Sequence, residues 1–344
     1  MPWKEFSTMD LRYEFVRLAH QQSMSFRALC KRYGISTKTG YKWLARFELE
    51  GDAGLADRSR RPHHSPATTS AVIESAILEV RAQHPAWGAR KILPILYEAG
   101  WEILPSPSTV TAILKRHGCL SRLRSRTQRD LQRFEAEAPN LLWQMDFKGD
   151  FRTARQRCYP LTVLDDHSRF SLAIDACANQ QRDTVQKHLI AVFLRYGMPG
   201  WMLTDNGGPW GSSGYEAYSV FEIWLMDLGI GMVHSRPRHP QTCGKLERFH
   251  RSLKAEVLGD GLFASLAHCQ ERFEQWRTIY NTHRPHEALG FAVPASRYEP
   301  SPRMYPSHIE RFLYDTGDMV RIVSEHGDIR LRGAHYRIGK AFTR

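Results

Sequence analysis

The stretch that most constrains how this chain can fold runs from Leu203 to Lys254. A short apolar run ends on the carboxylate of Asp205 in LTDNGGPW (Leu203 to Trp210). Further on, HPQTCGKLERFHRSLKAE opens a helical pattern with Glu247 near its start. A third carboxylate, Asp146, stands upstream in LLWQMDFKG, again just past a strand-like run. Three acids supplied by two strand ends and a helix are what a two-metal phosphoryl-transfer site requires. Carboxylate oxygens are the natural ligands of paired divalent ions roughly 3.5–4 Å apart.

The helix after Gly244 yields to arithmetic. Leu246, Phe249, Leu253 and Val257 recur every three or four residues and are predicted to face a sheet. Glu247, Arg251 and Lys254 keep the same spacing about 100° round the axis, with the acid nearest the helix N-terminus. The acid there can reach a metal, and Arg251 and Lys254 are placed to hold a DNA backbone. A solvated charged face has the same pattern, so this helix draws its meaning from Asp146 and Asp205.

Around these acids the chain reads as a layered α/β unit. LLWQMDF, YPLTVLDDHS and RFSLAIDAC are β-rich runs joined by short turns, which predicts an antiparallel meander. A helix follows, RDTVQKHLIAVFLRYG, with Val185, Leu189, Val192 and Phe193 on one side. Strand WMLTD, helix YEAYSVFEIWLMDLG, strand GMVHS and helix KLERFHRSLKAEVL complete the order. This order predicts an RNase H-like layer, with ligands gathered at the carboxyl ends of strands. Other acids fit less well. Asp165 and Asp166 adjoin a turn, where Asp is common for local reasons, and Asp150 falls beyond the first strand's useful end. His234 and His250 are placed to touch DNA or a metal's outer shell, yet with sixteen histidines a bystander role is the default.

The formal net charge of +12 points to a polyanionic partner, since neutralising phosphates releases counterions. Residues 8 to 50 read as three short helices, the second capped by Ser25 and stopped by Gly34. Helix, glycine-containing turn and a basic helix form the pattern of a helix-turn-helix DNA reader. Thr37, Lys38 and Lys42 then fall where a recognition helix meets base edges and phosphates. A helical hairpin with a solvated basic face fits as well. Gly40 departs from the pattern, because an apolar packing residue is expected there and glycine weakens a helix interior by about 1 kcal/mol. GLADRSRRPHHSP reads as an extended arm whose Arg58, Arg60 and Arg61 suit a minor groove, or as a plain linker. A second helical unit follows, ending in a capped, basic helix from Ser108 to Gly118. Arg116, Arg122, Arg124, Arg126, Arg129 and Arg133 then make either a linker suited to tracking phosphates or a solvated helix face.

The six cysteines are scattered, without zinc-finger spacing, as in a cytoplasmic protein with reduced thiols. No apolar run approaches the roughly 18 residues of a membrane span, so no membrane partner is expected.

WQMDF, LTDNGGPW and HPQT-C-GKLERFHRSLKAE resemble the three catalytic blocks of the retroviral integrase and DDE transposase superfamily. More narrowly they resemble bacterial insertion-sequence transposases, and the similarity covers nearly the whole chain. The resemblance implies that Asp146, Asp205 and Glu247 bind two Mg²⁺ or Mn²⁺ ions. It implies hydrolysis at the element's inverted-repeat ends and attack of the freed 3′-hydroxyl on target DNA, by a homo-oligomer assembled on that DNA. Lys254 matches the family's DNA-contacting lysine, and Asn206 and Gly207 match the loop that lets DNA approach the second aspartate. His239, Pro240 and Gln241 match the flexible loop before the glutamate. Tyr280, Asn281, Arg284 and Pro285 match a segment expected to brace the catalytic helix. A nuclease on the same fold and an inactive DNA-binding protein stay open as alternatives.

The expected fold is therefore multidomain: all-α helix-turn-helix domains, an α/β RNase H-like core and a small all-β segment. The expected boundaries are 1–53 and 68–120 for the helix-turn-helix domains, with a basic arm at 54–67 and a basic linker at 121–139. The core with its following helix takes 140–300. Residues 301–344 are expected to form part of a small β-barrel from DMVRIVSE, DIRLRG and HYRIGK. Two or three such strands rarely bury enough apolar surface to stand alone, so this tail reads as an early end to the barrel.

Overall fold

The computed structural model describes residues 7–59, 68–120, 134–211, 218–235, 244–259, 261–309 and 314–343. Arg60, Arg61, the arginines from Arg122 to Arg133, and His239, Pro240 and Gln241 lie outside the described residues. The chain forms two compact units, Met1–Thr68 and Thr69–Arg344.

The first unit holds helices α1 (Thr8–His20), α2 (Phe26–Arg32) and α3 (Thr37–Glu50). Each begins on a serine, Ser7, Ser25 or Ser36, whose hydroxyl accepts a backbone N–H of the first turn. Phe15, Val16, Leu29, Cys30, Trp43 and Leu55 make its core. Gly40, the departure from the expected pattern, has a packing reason. A Cβ there would lie 2.6 Å from the Cys30 sulfur and 3.0 Å from both Phe15 and Phe26, so the two phenylalanines already fill the space an apolar side chain would take. Gly40→Ala is expected to destabilise this unit by about 1–2 kcal/mol, overpacking outweighing the gain in helix propensity. A urea midpoint that stays put or rises in the variant would contradict this.

The segment after α3 is not an arm from its first residue. Gly51–Leu55 forms a 3-10 turn, Leu55 is buried, and Arg12 donates to the Leu55 carbonyl at 2.7 Å and to Asp57 at 2.8 Å. Arg58 pairs with Glu50 at the end of α3 instead of projecting alone.

The second unit opens with α4 (Ala71–Gln83), α5 (Ala89–Glu98) and α6 (Pro107–Arg116), packed around Ile77, Trp87, Ile92, Val110 and Leu114. The last helix starts earlier than its sequence suggested. Ser106 is the cap and Pro107 the first residue, a position where the missing proline N–H costs nothing.

The core sheet contains β1 (Leu142–Phe147), β2 (Phe151–Arg152), β3 (Arg157–Asp165) and β4 (Ser171–Cys177), then, after α7 (Arg182–Tyr196), β5 (Trp201–Thr204). Helix α8 (Val220–Asp227) leads to β6 (Gly231–His234), and α9 (Gly244–Leu253) and α10 (Leu266–Thr282) close the layer. The expected meander is present: β3 pairs antiparallel with β1 and β4, and β2 is a short extra strand against the start of β3. Strands β1, β5 and β6 are mutually parallel. The main strands thus run β4-β3-β1-β5-β6, a mixed RNase H-like sheet. One face packs Trp143, Met145, Val185, Leu189 and Phe193 with α8. The other packs Cys158, Leu164 and Ile174 under Leu246, Phe249, Leu253 and Val257 of the catalytic-helix candidate and under α10.

The tail differs from expectation. Residues 301–309 belong with the core: the Met198 N–H donates to Arg303 O at 2.7 Å, and Arg303 donates to the carbonyls of Pro199, Leu228 and Gly229. DMVRIVSE forms no strand. Only β7 (Asp328–Leu331) and β8 (Ala334–Arg337) pair, so no closed barrel is present among the described residues. This hairpin is followed by Phe342, whose ring meets Tyr218 edge-on at 5.7 Å, just ahead of α8. No helix among the described residues is long and apolar enough to cross a membrane.

Candidate active site in the integrase-like core

Sheet register decides how two of the three acids meet. Strands β1 and β5 are parallel, with Leu142 opposite Trp201 and Gln144 opposite Leu203, a constant offset of 59. The pairing ends at Gln144 and Leu203, which puts Asp146 near the end of β1 and Asp205 just past the end of β5 at the same edge of the sheet. Glu247 lies in the first turn of α9, on its exposed side. Leu246, Phe249, Leu253 and Val257 are all buried, while Glu247, Arg251 and Lys254 are exposed, as the spacing predicts.

The electrostatics bear the mark of crowded acids. Burial, then the nearby charge of Asp205 and more weakly that of Glu247, push the Asp146 carboxyl up to about 7. His250 stands 4.0 Å from Asp146 but supplies no counter-charge, because burial pulls its imidazole down to about 3. The Thr162 hydroxyl donates to Asp146 O at 2.8 Å, so the 2.8 Å bond between Thr162 and His250 Nε2 has the histidine as donor. His250 is therefore neutral and turns its unprotonated Nδ1 toward Asp146. Asp205 is held differently: Trp210 Nε1 donates to its Oδ1 at 2.6 Å and the Gly207 N–H at 2.9 Å. Asn206 Nδ2 donates to Ser235 O at 2.9 Å, tying the loop to the end of β6. His234 lies beneath this loop, bonded to Asp205 O at 2.9 Å and to Glu222 at 2.9 Å.

The donor set suits a hard divalent cation: three carboxylates, two of them at the same end of adjacent strands, with the Asp146 charge penalised by burial and by its acidic neighbours. Among the described residues no three such side chains are already gathered tightly enough to hold an ion.

Asp150 pairs with Arg157. Asp165 and Asp166, next to the turn, are both fully buried. Asp165 Oδ1 accepts from the Ser168 N–H and hydroxyl, and burial pushes its carboxyl up despite those bonds. Asp166 accepts from Ala136 N and Gln144 Nε2, each at 2.7 Å, and pairs with Lys245 Nζ at 2.5 Å. Of the bracing segment, Tyr280 sets its ring edge-on to Phe249 at 4.8 Å, and Arg284 bonds Ser252 and Glu256. Asn281 instead bonds both backbone groups of Ser171, bracing β4 and not the catalytic-helix candidate. Lys254 opens a π-helical turn, Lys254–Leu258, that continues α9. In the first unit Thr37, Lys38 and Lys42 are exposed on α3, and Arg12, Lys42 and Arg46 lie 4.0, 4.2 and 5.2 Å from the Trp43 ring centroid.

Residues 136–240 and 228–294 each match an integrase core domain. The chain therefore carries an integrase core domain. Ahead of this integrase core, residues 11–63 match a helix-turn-helix domain and 39–114 a homeodomain-like domain. Similar proteins include the insertion element IS476 uncharacterized 39.2 kDa protein of Xanthomonas euvesicatoria, 26% identical over 71% of this chain and 69% of that protein. The IS407 uncharacterized 31.7 kDa protein of Burkholderia multivorans is 27% identical over 46% of this chain and 55% of its own. The transposase for insertion sequence element IS904 of Lactococcus lactis is 30% identical over 47% of this chain and 63% of its own. Matches among solved structures include a simian T-cell lymphotropic virus intasome (16% identity, 76% of this chain, 85% of that one, TM-score 0.42). The HTLV-2 integrase catalytic core in complex with magnesium is another (17% identity, 47% of this chain, 99% of that one, TM-score 0.36).

Proposed function

We propose that this integrase-core protein is a transposase that cleaves the ends of an insertion sequence and joins them to target DNA. The observation that carries this reading is the parallel pairing of β1 and β5, which brings Asp146 and Asp205 to the same end of the sheet, near enough for the charges of Asp205 and Glu247 to raise the Asp146 carboxyl. In this reading Asp146, Asp205 and Glu247 would hold two Mg²⁺ or Mn²⁺ ions, whose chemistry there would be Lewis-acid activation of the attacking hydroxyl and stabilisation of the leaving oxygen. The protein's own residues bring the DNA there. Thr37, Lys38 and Lys42 read the element's ends, with Arg58, Arg60 and Arg61 along the backbone or minor groove. Asn206, Gly207 and Gln241 border the reacting strand, and Arg251 and Lys254 clamp its phosphates one and two turns from Glu247. The neutral His250 adds no positive charge that would compete with a cation for Asp146. The active form is a homo-oligomer on DNA, and the strong positive charge of the chain, +12, makes its binding steeply salt-dependent.

The test is a joining assay with the full chain, a duplex carrying the inverted repeat that flanks the coding sequence, supercoiled plasmid and Mg²⁺. Joined products that vanish with EDTA are expected. Cutting without joining would replace this reading with a nuclease, and end binding without cutting would replace it with a DNA-binding protein.

A further inference from the structure

Trp210 stands five residues past Asp205, and an aromatic ring there would ordinarily be read as core filler. Its ring is 1% exposed and stacks on Phe147, centroids 5.4 Å apart and planes 14° from parallel. Packing alone would explain that much. The indole N–H, however, is spent on the second aspartate, donating to Asp205 Oδ1 at 2.6 Å. Phe147 is the residue after Asp146 on β1, so one stacked pair links the backbone carrying the first aspartate to the side chain of the second. The backbone that carries the ring is tied down as well. The Trp210 carbonyl accepts from Ser219 Oγ at 2.9 Å, and Ser219 is the capping residue of α8. The Gly211 N–H donates to Gly207 O at 2.9 Å, closing the turn that brings the indole back toward Asp205.

We infer that Trp210 is a positioning residue. Its N–H fixes the rotamer of Asp205, engages Oδ1 together with the Gly207 N–H, and leaves Oδ2 as the oxygen presented to a divalent cation. The inference rests on the proposed function for its metal, but the hydrogen bond can be tested without one. Partners of this kind that orient a ligating carboxylate commonly change metal affinity or activity by about 10–100-fold when removed. Phenylalanine keeps an aromatic ring for Phe147 to stack on and removes only the donor, which separates orientation from packing.

Two measurements on the full chain decide the matter. In metal-free protein labelled with ¹⁵N at tryptophan, the indole resonance lost in Trp210→Phe identifies this group. That resonance should shift upfield in Asp205→Ala, where the acceptor is gone. Titration with Mn²⁺ should then show affinity lowered about tenfold or more in Trp210→Phe, with a melting temperature close to wild type and unchanged binding to the inverted-repeat duplex. An indole resonance that ignores Asp205→Ala overturns the inference, and so does Mn²⁺ affinity in Trp210→Phe equal to or tighter than wild type. If the wild-type chain itself binds no Mn²⁺, the proposed metal site falls, and the positioning role stands or falls on the indole resonance.

Discussion

Glu247→Gln, Asp146→Asn and Asp205→Asn should each abolish end joining while leaving binding to the inverted-repeat duplex intact. Each change removes one anionic oxygen ligand and preserves shape. Metal-ion stabilisation of a transition state is worth several kcal/mol, and about 1.4 kcal/mol is a factor of ten, so the loss should be roughly 10³-fold or more. Asp146→Asn carries a second, independent signature. The folded-state carboxyl is raised to about 7, so the unfavourable charge is absent below the unfolded value near 4 and grows as pH rises. It is complete above about 7. Metal-free Asp146→Asn should therefore melt higher than wild type at pH 8, and the advantage should shrink toward pH 5. Melting curves at the two pH values check the sign. Near-normal joining by Glu247→Gln in Mg²⁺, or a lower pH 8 melting temperature for Asp146→Asn, would remove the acids from the role proposed.

The parts of this molecule that were legible in the sequence are those governed by a short period. The stripe Leu246, Phe249, Leu253, Val257 is buried and the stripe Glu247, Arg251, Lys254 is exposed because 3.6 residues per turn leaves little choice. The strand ends at Asp146 and Asp205 were visible as apolar runs stopping on an acid. What pairing does to them was not: the two aspartates come to the same end of the sheet only once β1 lies beside β5. Gly40 shows the same limit, since its missing side chain makes sense only when Phe15 and Phe26 arrive from other helices. DMVRIVSE has strand composition but no paired partner among the described residues, and composition alone cannot supply a ladder. Asp165 shows what a local reading reaches, since its bonds from the Ser168 N–H and hydroxyl are those a turn offers, while the burial of Asp166 depends on partners as distant as Ala136 and Lys245.

That burial makes Asp166 the position with the largest expected effect on stability. Its side chain is fully buried, as the relative exposures of 17% for Lys245 and 0% for Asp166 show, and the carboxylate satisfies three groups at once. Ala136 N and Gln144 Nε2 donate to it, and the Lys245 ammonium both pairs with it and donates to its backbone carbonyl at 3.1 Å. Asp166→Ala leaves an amide, a carboxamide and a mostly buried cation without their acceptor. Removing one partner of a buried pair typically costs about 3–5 kcal/mol, a large part of the roughly 5–15 kcal/mol that holds a domain folded. At about 2–4 °C per kcal/mol for a unit of this size, the core should melt roughly 6–20 °C lower. Lys245 sits two residues before Glu247, so the pair also anchors the start of α9, the helix that presents the third acid. Asp166→Asn combined with Lys245→Met removes both charges and keeps much of both shapes. The double variant should lose less than the two single changes added together, because neither ion is left alone. Strict additivity, or an Asp166→Ala core that melts within about 2 °C of wild type, would mean that this buried pair does not hold the catalytic-helix candidate against the sheet.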